Sequence, residues 1–388
     1  MIFGVLRDKK EGEYRVICTP LEVASIVDAG HSVLCEAGCG AMAGFPDEEY
    51  SAAGAVILSD SSEIFKRCDM VAKVKEIQPS EYPLLREGQI VYACLHPAAN
   101  PEEVKALLSS RCIAFTAEDS HRYGSPNCEA AGKMGAFFGL ESLLTINGGK
   151  GKFVSGLAGS PGIKALILGA GLVGKSALSV LFSLGASITV MDINYGALKA
   201  LSEEYRGRIN TTLSTKESIR RILPETDLVI NSVRWQKERK DFLIDKEMLE
   251  TMEHGSVIVD VSNDSPGAIE TSHPTTHASP RYTVSGVVHY CVDNIPSAIA
   301  YSASSALAAE TLPTLLSILN LGVKEACKRD GFLRRSLTAY KGYLTHEETS
   351  AISGLSWIRP EDILGIKDGE LDTAPRATRT KSENYTKL

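Results

Sequence analysis

The sequence predicts an α/β protein of two doubly wound parallel-sheet domains with a cleft between them. Three observations carry this reading. The chain has 388 residues, more than one hydrophobic core fills, since single cores stop growing beyond ~250 to 300 residues. Short apolar β-rich runs alternate with capped helical segments, once before residue 128 and again from residue 164. A glycine fingerprint, G-x-G-x-x-G at Gly169, Gly171 and Gly174, lies between a strand-like run and a helical one in the second series. Together they make both domains Rossmann-like.

In the first series the strand candidates are MIFGVL, HSVLCEAG, AVIL, MVAKVK, QIVYACLH and CIAFTAE. Thr19-Pro20 and Asn100-Pro101 each place a capping residue before a proline suited to the first helical position, so helices open there. The run 128 to 144, CEAAGKMGAFFGLESLL, reads as one continuous helix, followed by a glycine-rich stretch at 147 to 162 with little to pack. The second series is KALILGA, SITVMDI, INTTLS, DLVINSV, SVIVDVS and TVSGVV, again parallel in character. From about 296 a long apolar helix, with Pro313 expected to kink it, carries the chain back to the first domain. The expected limits are 1–127 with 303–368 for a discontinuous substrate domain, 128–302 for a dinucleotide-binding domain, and 369–388 for a flexible tail lacking apolar periodicity.

Composition narrows the class. A net charge of −7 with scattered Lys and Arg leaves no footprint for a nucleic-acid backbone. The N-terminus becomes charged at once, and no apolar run is long and unbroken enough to read as a membrane span. Nine cysteines without a C-x-x-C pair read as reduced, mostly buried thiols, and the expected location is the cytoplasm. The eight histidines show no ligand spacing; His273 and His277 flank a proline-containing turn, so no metal is expected.

The fingerprint has the context that a dinucleotide requires. A strand precedes it, KSALSVLFSLG follows as a helix, and SITVMD closes on Asp192, eighteen residues past Gly174. The glycines allow backbone to approach a pyrophosphate, while Asp192 would accept from ribose hydroxyls and repel a 2′-phosphate, favouring NAD over NADP. Ligands of open parallel sheets collect at the carboxyl ends of strands, which singles out Lys75, His96 and Asp264. Arg15, in EYRV, has a planar fork suited to a carboxylate. Taken singly, each has a plainer reading as a surface charge, a turn residue or a cap.

At these residues the chain resembles the alanine dehydrogenase family, which is related to the NAD-binding component of transhydrogenase. The resemblance rests on EYRVICTP at 13–20, VAKVKE at 71–76, CLHPAAN at 94–100, LILGAGLVG at 166–174, GSVIVDVSND at 255–264, PTTH at 274–277 and GVVHYCVDNIP at 286–296. It implies that Arg15 and Lys75 hold the substrate carboxylate or carbonyl, that His96 is the acid/base, and that Asp264 positions the amine or attacking water. It further implies a glutamate at the position of Glu118, NAD contacts at Ser214 and near Val233, and a homo-oligomer, commonly a hexamer; the charge and apolar patterning already lead to no expected membrane or nucleic-acid partner. The expected reaction is reversible oxidative deamination of L-alanine to pyruvate and ammonia, with hydride passing to NAD.

The chain also departs from the family pattern. The loop DSHRYGSPNCE puts Asn127 at a substrate-contacting position and Cys128 at a cofactor-contacting one, VRWQKERKDF introduces Arg234 and Trp235, and Ile295 and Tyr301 replace a Met and an Arg. Several polar changes near one site suggest a rebuilt pocket, since buried polar groups must be matched by the ligand. Arg234 in particular suggests a second carboxylate, as in opine-type reductive condensation of an amino acid with a 2-oxo acid. The remaining alternative is a non-catalytic, transhydrogenase-like NAD-binding module.

Overall fold

The computed structural model of the chain describes residues 1–235, 239–262 and 267–371. Two compact units result: unit 1 is Met1–Pro126 together with the chain from Ile299 onward, and unit 2 is Asn127–Ala298.

Unit 1 is built on an eight-stranded sheet. Its strands are β1 (Ile2–Val5), β2 (Ser32–Glu36), β3 (Val56–Leu58), β4 (Met70–Ala72), β5 (Ile90–Ala93), β6 (Ile113–Thr116), β14 (Leu337–Tyr340) and β15 (Tyr343–Leu344), in the spatial order β15-β14-β6-β5-β4-β1-β2-β3. The first six run parallel. Phe3, Val5, Met70, Ala72 and Tyr92 pack on one face, and Leu6, Val71, Val91, Ala93 and Ala114 on the other. Burial on both faces is why these strands read as continuous apolar runs. β1 lies between β2 and β4, so the strand order reverses there, and the loops leaving β1 and β4 open at a topological switch point.

Unit 2 carries a seven-stranded sheet of β7 (Lys164–Leu168), β8 (Ser187–Asp192), β9 (Asn210–Leu213), β10 (Leu228–Asn231), β11 (Val257–Asp260), β12 (Arg281–Val284) and β13 (Val287–Tyr290), ordered β12-β13-β11-β10-β7-β8-β9. Its switch point is between β7 and β10. The helix Pro126–Ser142 lies close against this unit because three glycines line its inner face: a Cβ on Gly132 would fall 2.1 Å from the Val173 carbonyl oxygen, and one on Gly139 would fall 2.8 Å from Leu228.

Three expectations need correction. The two doubly wound, mainly parallel sheets are as expected, but TVSGVV is not one strand: it is the centre of the antiparallel hairpin β12–β13, turning at Ser285 and Gly286 with φ of 48° and 81°. A second antiparallel hairpin, β14–β15, adds to β6. Positive φ at both central residues gives a turn whose twist matches the strands, so a Ser-Gly pair inside an apolar run marked a reversal. In the helix Ala300–Arg329 the residue that leaves helical geometry is Gly322 (φ 74°, ψ 166°), not Pro313. Together with the turn before it, this segment is long and apolar enough in composition to span a bilayer, yet Leu307, Leu315 and Ile318 are fully buried in the unit 1 core. Finally, the start of the expected tail is ordered as the turn Asp368–Glu370, with Lys328 Nζ donating to Glu370 Oε1 at 3.0 Å. Residues 372–388 lie outside the described residues.

Candidate active site

In unit 1, β4 and β5 are adjacent and in parallel register, Ala72 beside Tyr92. The strands stop at Ala72 and Ala93, shorter than the sequence runs suggest, so Lys75 and His96 fall on neighbouring loops at their carboxyl ends. His96 Nδ1 lies 3.0 Å from Glu76 Oε1. The imidazole is 40% exposed, against 14% for the Glu76 side chain, so the ring is open on its other edge. Burial would raise the Glu76 carboxyl, but the His96 hydrogen bond and the charges of Lys75 and Lys10 outweigh it and hold it at about 2. An ionised Glu76 selects the tautomer protonated on Nδ1 and leaves Nε2 to exchange a proton with a ligand.

The His96 backbone is over-determined. Its φ of +46° is left-handed and costs a non-glycine residue on the order of 1 kcal/mol. Its N–H donates to Glu118 Oε1 at 2.8 Å, and Asn100 Nδ2 donates to the Leu95 and His96 carbonyls at 2.9 and 3.3 Å. Glu118 therefore fixes the histidine rather than standing apart from it.

Arg15 is almost fully buried and clasps Glu13, with Nε donating to Oε1 at 2.8 Å and Nη2 to Oε2 at 2.5 Å. Its neighbour Val16 donates its N–H to Ser304 Oγ at 3.0 Å, which ties this loop to the N-terminal part of the helix Ala300–Arg329. Sequence reasoning missed Glu13 and Glu76, although both stand inside the quoted motifs. The available signal was a carboxylate next to each proposed cation or base.

In unit 2 the fingerprint lies at the β7–β10 switch point. Gly169 has φ +98°, and a Cβ there would meet Ser232 Oγ at 2.7 Å. A Cβ on Gly174 would lie 1.9 Å from the Gly169 carbonyl oxygen, whereas one on Gly171 would meet nothing within 4 Å. The first and third glycines are thus required by the turn itself. The second leaves open space before the helix Leu172–Ser183, whose N-terminal amides and dipole suit a pyrophosphate. Asp192 ends β8 half-buried, its Oδ2 accepting from Ala170 N at 2.6 Å and its Oδ1 from Asn194 N at 2.7 Å. These bonds lock the glycine loop to β8, and each carboxylate oxygen keeps acceptor capacity for a ribose hydroxyl. The cradle therefore fits a dinucleotide.

The other expected residues are placed as follows. Ser214 follows β9 and donates its N–H to the Asp192 carbonyl at 2.9 Å. Val233 N donates to Asn231 Oδ1 at 3.2 Å, and Asn231 Nδ2 in turn donates to Asp260 Oδ1 at 2.8 Å, bridging the ends of β10 and β11. Asn127 and Cys128 occupy the first turn of the helix Pro126–Ser142. Arg234 is exposed after β10, while Trp235 is buried in its own loop, donating Nε1–H to the Asp241 carbonyl at 3.1 Å beneath Arg239, 4.0 Å above its ring. Asp264 lies outside the described residues.

Comparison with known proteins gives this arrangement a family. The family described as alanine dehydrogenase/PNT matches through its N-terminal domain at residues 4–133 and its C-terminal domain at residues 136–347. The chain belongs to the alanine dehydrogenase/PNT family. Within it, the alanine dehydrogenase of Methanococcus maripaludis is 37% identical and that of Halomonas elongata 35% identical, each over 371 residues covering 94% of this chain and 100% of the relative. A solved L-alanine dehydrogenase superposes with a TM-score of 0.86 at 35% identity, covering 91% of this chain and 99% of that one. A transhydrogenase from Sinorhizobium meliloti, at 22% identity and a TM-score of 0.73, shares the fold of this alanine dehydrogenase/PNT family member.

Proposed function

We propose that this alanine dehydrogenase/PNT family member is an NAD-dependent amino-acid dehydrogenase that interconverts L-alanine with pyruvate and ammonia. Full-length similarity to curated alanine dehydrogenases supports the reaction class. The single observation that carries the chemistry is the His96–Glu76 pair, which joins the loop after β5 to the neighbouring loop that also bears Lys75. Such a pair gives a proton acceptor of fixed tautomer, and an NAD-binding module would have no use for one.

In this reading Arg15, held by Glu13, presents a fixed positive charge to the substrate carboxylate, and Lys75 attracts the oxygen at C2. NAD, when bound, supplies the hydride acceptor for C2. His96 Nε2 takes a proton from the substrate ammonium and releases it to solvent as C2 is oxidised; it then takes a proton from the water that adds to the iminium carbon and returns it to the nitrogen that leaves as ammonia. Asp264 is proposed to orient that water. Gly169, Gly171 and Gly174 admit the pyrophosphate, Asp192 receives the ribose hydroxyls, and Ser214, Val233 and Cys128 are proposed to contact the cofactor. Glu118, Asn127 and Arg234 are proposed to shape the substrate side. A cytoplasmic homo-oligomer, hexameric by the family pattern, completes the proposal.

The test is NADH oxidation with ammonia across a panel of 2-oxo acids, repeated with amino acids as the amine. Turnover with pyruvate and ammonia is expected, and His96→Ala should lower kcat by ~10² to 10⁴-fold while leaving NADH binding intact. Turnover only with a larger oxo acid, or only with an amino acid as amine, would reject alanine in favour of a related 2-amino acid or an opine-type condensation. Turnover indifferent to His96→Ala would reject the acid/base assignment.

A further inference from the structure

The loop from Lys73 to Gln78, which carries Lys75 and Glu76, has little regular structure of its own, yet the backbone N–H groups of Val74, Lys75, Ile77 and Gln78 end on buried carboxylates. Val74 N donates to Asp8 Oδ2 at 2.8 Å, and Lys75 N reaches Asp8 Oδ1 at 3.2 Å and Oδ2 at 3.3 Å. Ile77 N donates to Glu103 Oε1 at 2.6 Å, and Gln78 N to Glu81 Oε2 at 2.8 Å. Lys73, itself 1% exposed, places Nζ 2.9 Å from Glu81 Oε2 and 3.7 Å from Asp8 Oδ1. The three carboxylates come from the loop after β1 (Asp8), from the turn just past this loop (Glu81) and from the helix Pro101–Ser109 (Glu103).

Burying three carboxylates is costly unless they are paired or protonated, and a plain surface turn would not need them. Their common effect is to fix one short stretch of backbone. Asp8 acts on the residue of greatest consequence, because both of its oxygens converge on the amide of Lys75.

We propose that Asp8 is the positioning residue for Lys75: by accepting the Val74 and Lys75 amides, with Lys73 as counter-ion, it fixes where the lysine meets the substrate carbonyl. The role given to Lys75 rests on the function proposed above; the backbone geometry does not. Asp8 is faced by Lys73 and Arg15, which favour its charge, and by Glu13, which opposes it. Burial, the largest influence, lifts it to about 6. Protonation relieves that burial cost but turns one oxygen from acceptor to donor, so the acid can no longer hold both amides.

The experiment compares Asp8→Asn and Asp8→Glu with the full wild-type chain, using steady-state kinetics and hydrogen exchange of the peptide spanning 73–78. Asp8→Asn is expected to raise KM for the 2-oxo acid by ~10-fold or more, leave KM for NADH within about twofold, and accelerate exchange in that peptide; Asp8→Glu should recover much of the loss. Wild-type KM together with wild-type exchange in a folded Asp8→Asn protein would overturn the proposal. If that variant does not fold, the wild-type protection of Val74 and Lys75 is compared at about pH 7.5 and about pH 5, either side of the Asp8 titration. Protection lost at the lower pH supports the role, and equal protection overturns it. Exchange needs no substrate, so a chain inactive on every 2-oxo acid would refute the proposed function while exchange still decided the role of Asp8.

Discussion

His96 and Glu76 are joined by a 3.0 Å hydrogen bond across the ends of two neighbouring parallel strands. The bond does for the histidine what an orienting carboxylate does in hydrolytic triads: it chooses the protonated nitrogen and stabilises the imidazolium that forms during turnover. Glu76→Leu, which removes both bond and charge, should lower kcat by ~10²-fold or more. Glu76→Gln keeps an acceptor and loses only the charge, so it should fall between. NADH affinity, followed by fluorescence titration, should not change in either, and a parallel loss of cofactor binding would assign Glu76 to the fold instead.

The glycines of the cofactor loop should separate into two classes. Gly174→Ala forces a Cβ to within 1.9 Å of the Gly169 carbonyl, so thermal stability and NADH affinity should fall together. Gly171→Ala has a φ of −74° and open space around its Cβ, so the melting temperature should hold while NADH affinity falls by ~10-fold or more. Differential scanning fluorimetry paired with calorimetric titration separates the two.

Asp192 has a structural load as well as a proposed ligand. Asp192→Ala would orphan the Ala170 and Asn194 amides that its oxygens now accept. NADH should bind ~10-fold more weakly, and the preference for NADH over NADPH should shrink as the repulsive carboxylate is removed. Side-by-side kinetics with the two cofactors read the ratio, and an unchanged preference would remove Asp192 from cofactor selection.

Glu103 and Glu76 set opposite pH dependences. Burial pushes Glu103 up to about 9, so it folds as the neutral acid. Its contribution to stability is complete below the ordinary carboxylate value and is eroded as pH rises to about 9. Glu76, held at about 2, contributes above that ordinary value and fails only as pH falls through about 2. Calorimetry from neutral to alkaline pH should show a falling melting temperature for wild type and a flatter curve for Glu103→Gln, the gap near pH 9 reaching roughly 1 to 3 kcal/mol. Parallel curves would mean that Glu103 is ionised in the folded protein.

What the sequence made legible follows from what is local. Strands such as Ala165–Leu168 and Ile90–Ala93 are buried on both faces, so their apolar runs announce a parallel sheet, and the fingerprint glycines announce their turn. The hairpins were lost because Ser285-Gly286 and Lys341-Gly342, with positive φ at both residues of each pair, are short interruptions in apolar text. Lys75 and His96 could be picked out by their place at strand ends. Glu118 was reached only through the family resemblance, and Asp8 and Glu103 not at all, because each meets a backbone amide 26 to 67 residues away, and no spacing rule reports such a contact.

The chain completes its two units in an order that its topology dictates. Unit 2 is one continuous segment, finished once residue 298 has been made, while β6 still lacks β14 and the unit 1 core still lacks Leu307, Leu315 and Ile318. During synthesis the second sheet can therefore close while the first waits with an open edge and an uncovered apolar face, the kind of surface on which nascent chains associate wrongly. Ribosome-arrested chains ending near residue 298 should show a protease-resistant unit 2 beside a sensitive unit 1. The proposed substrate site, encoded almost wholly in the first hundred residues, would then be the last part of the molecule to become firm.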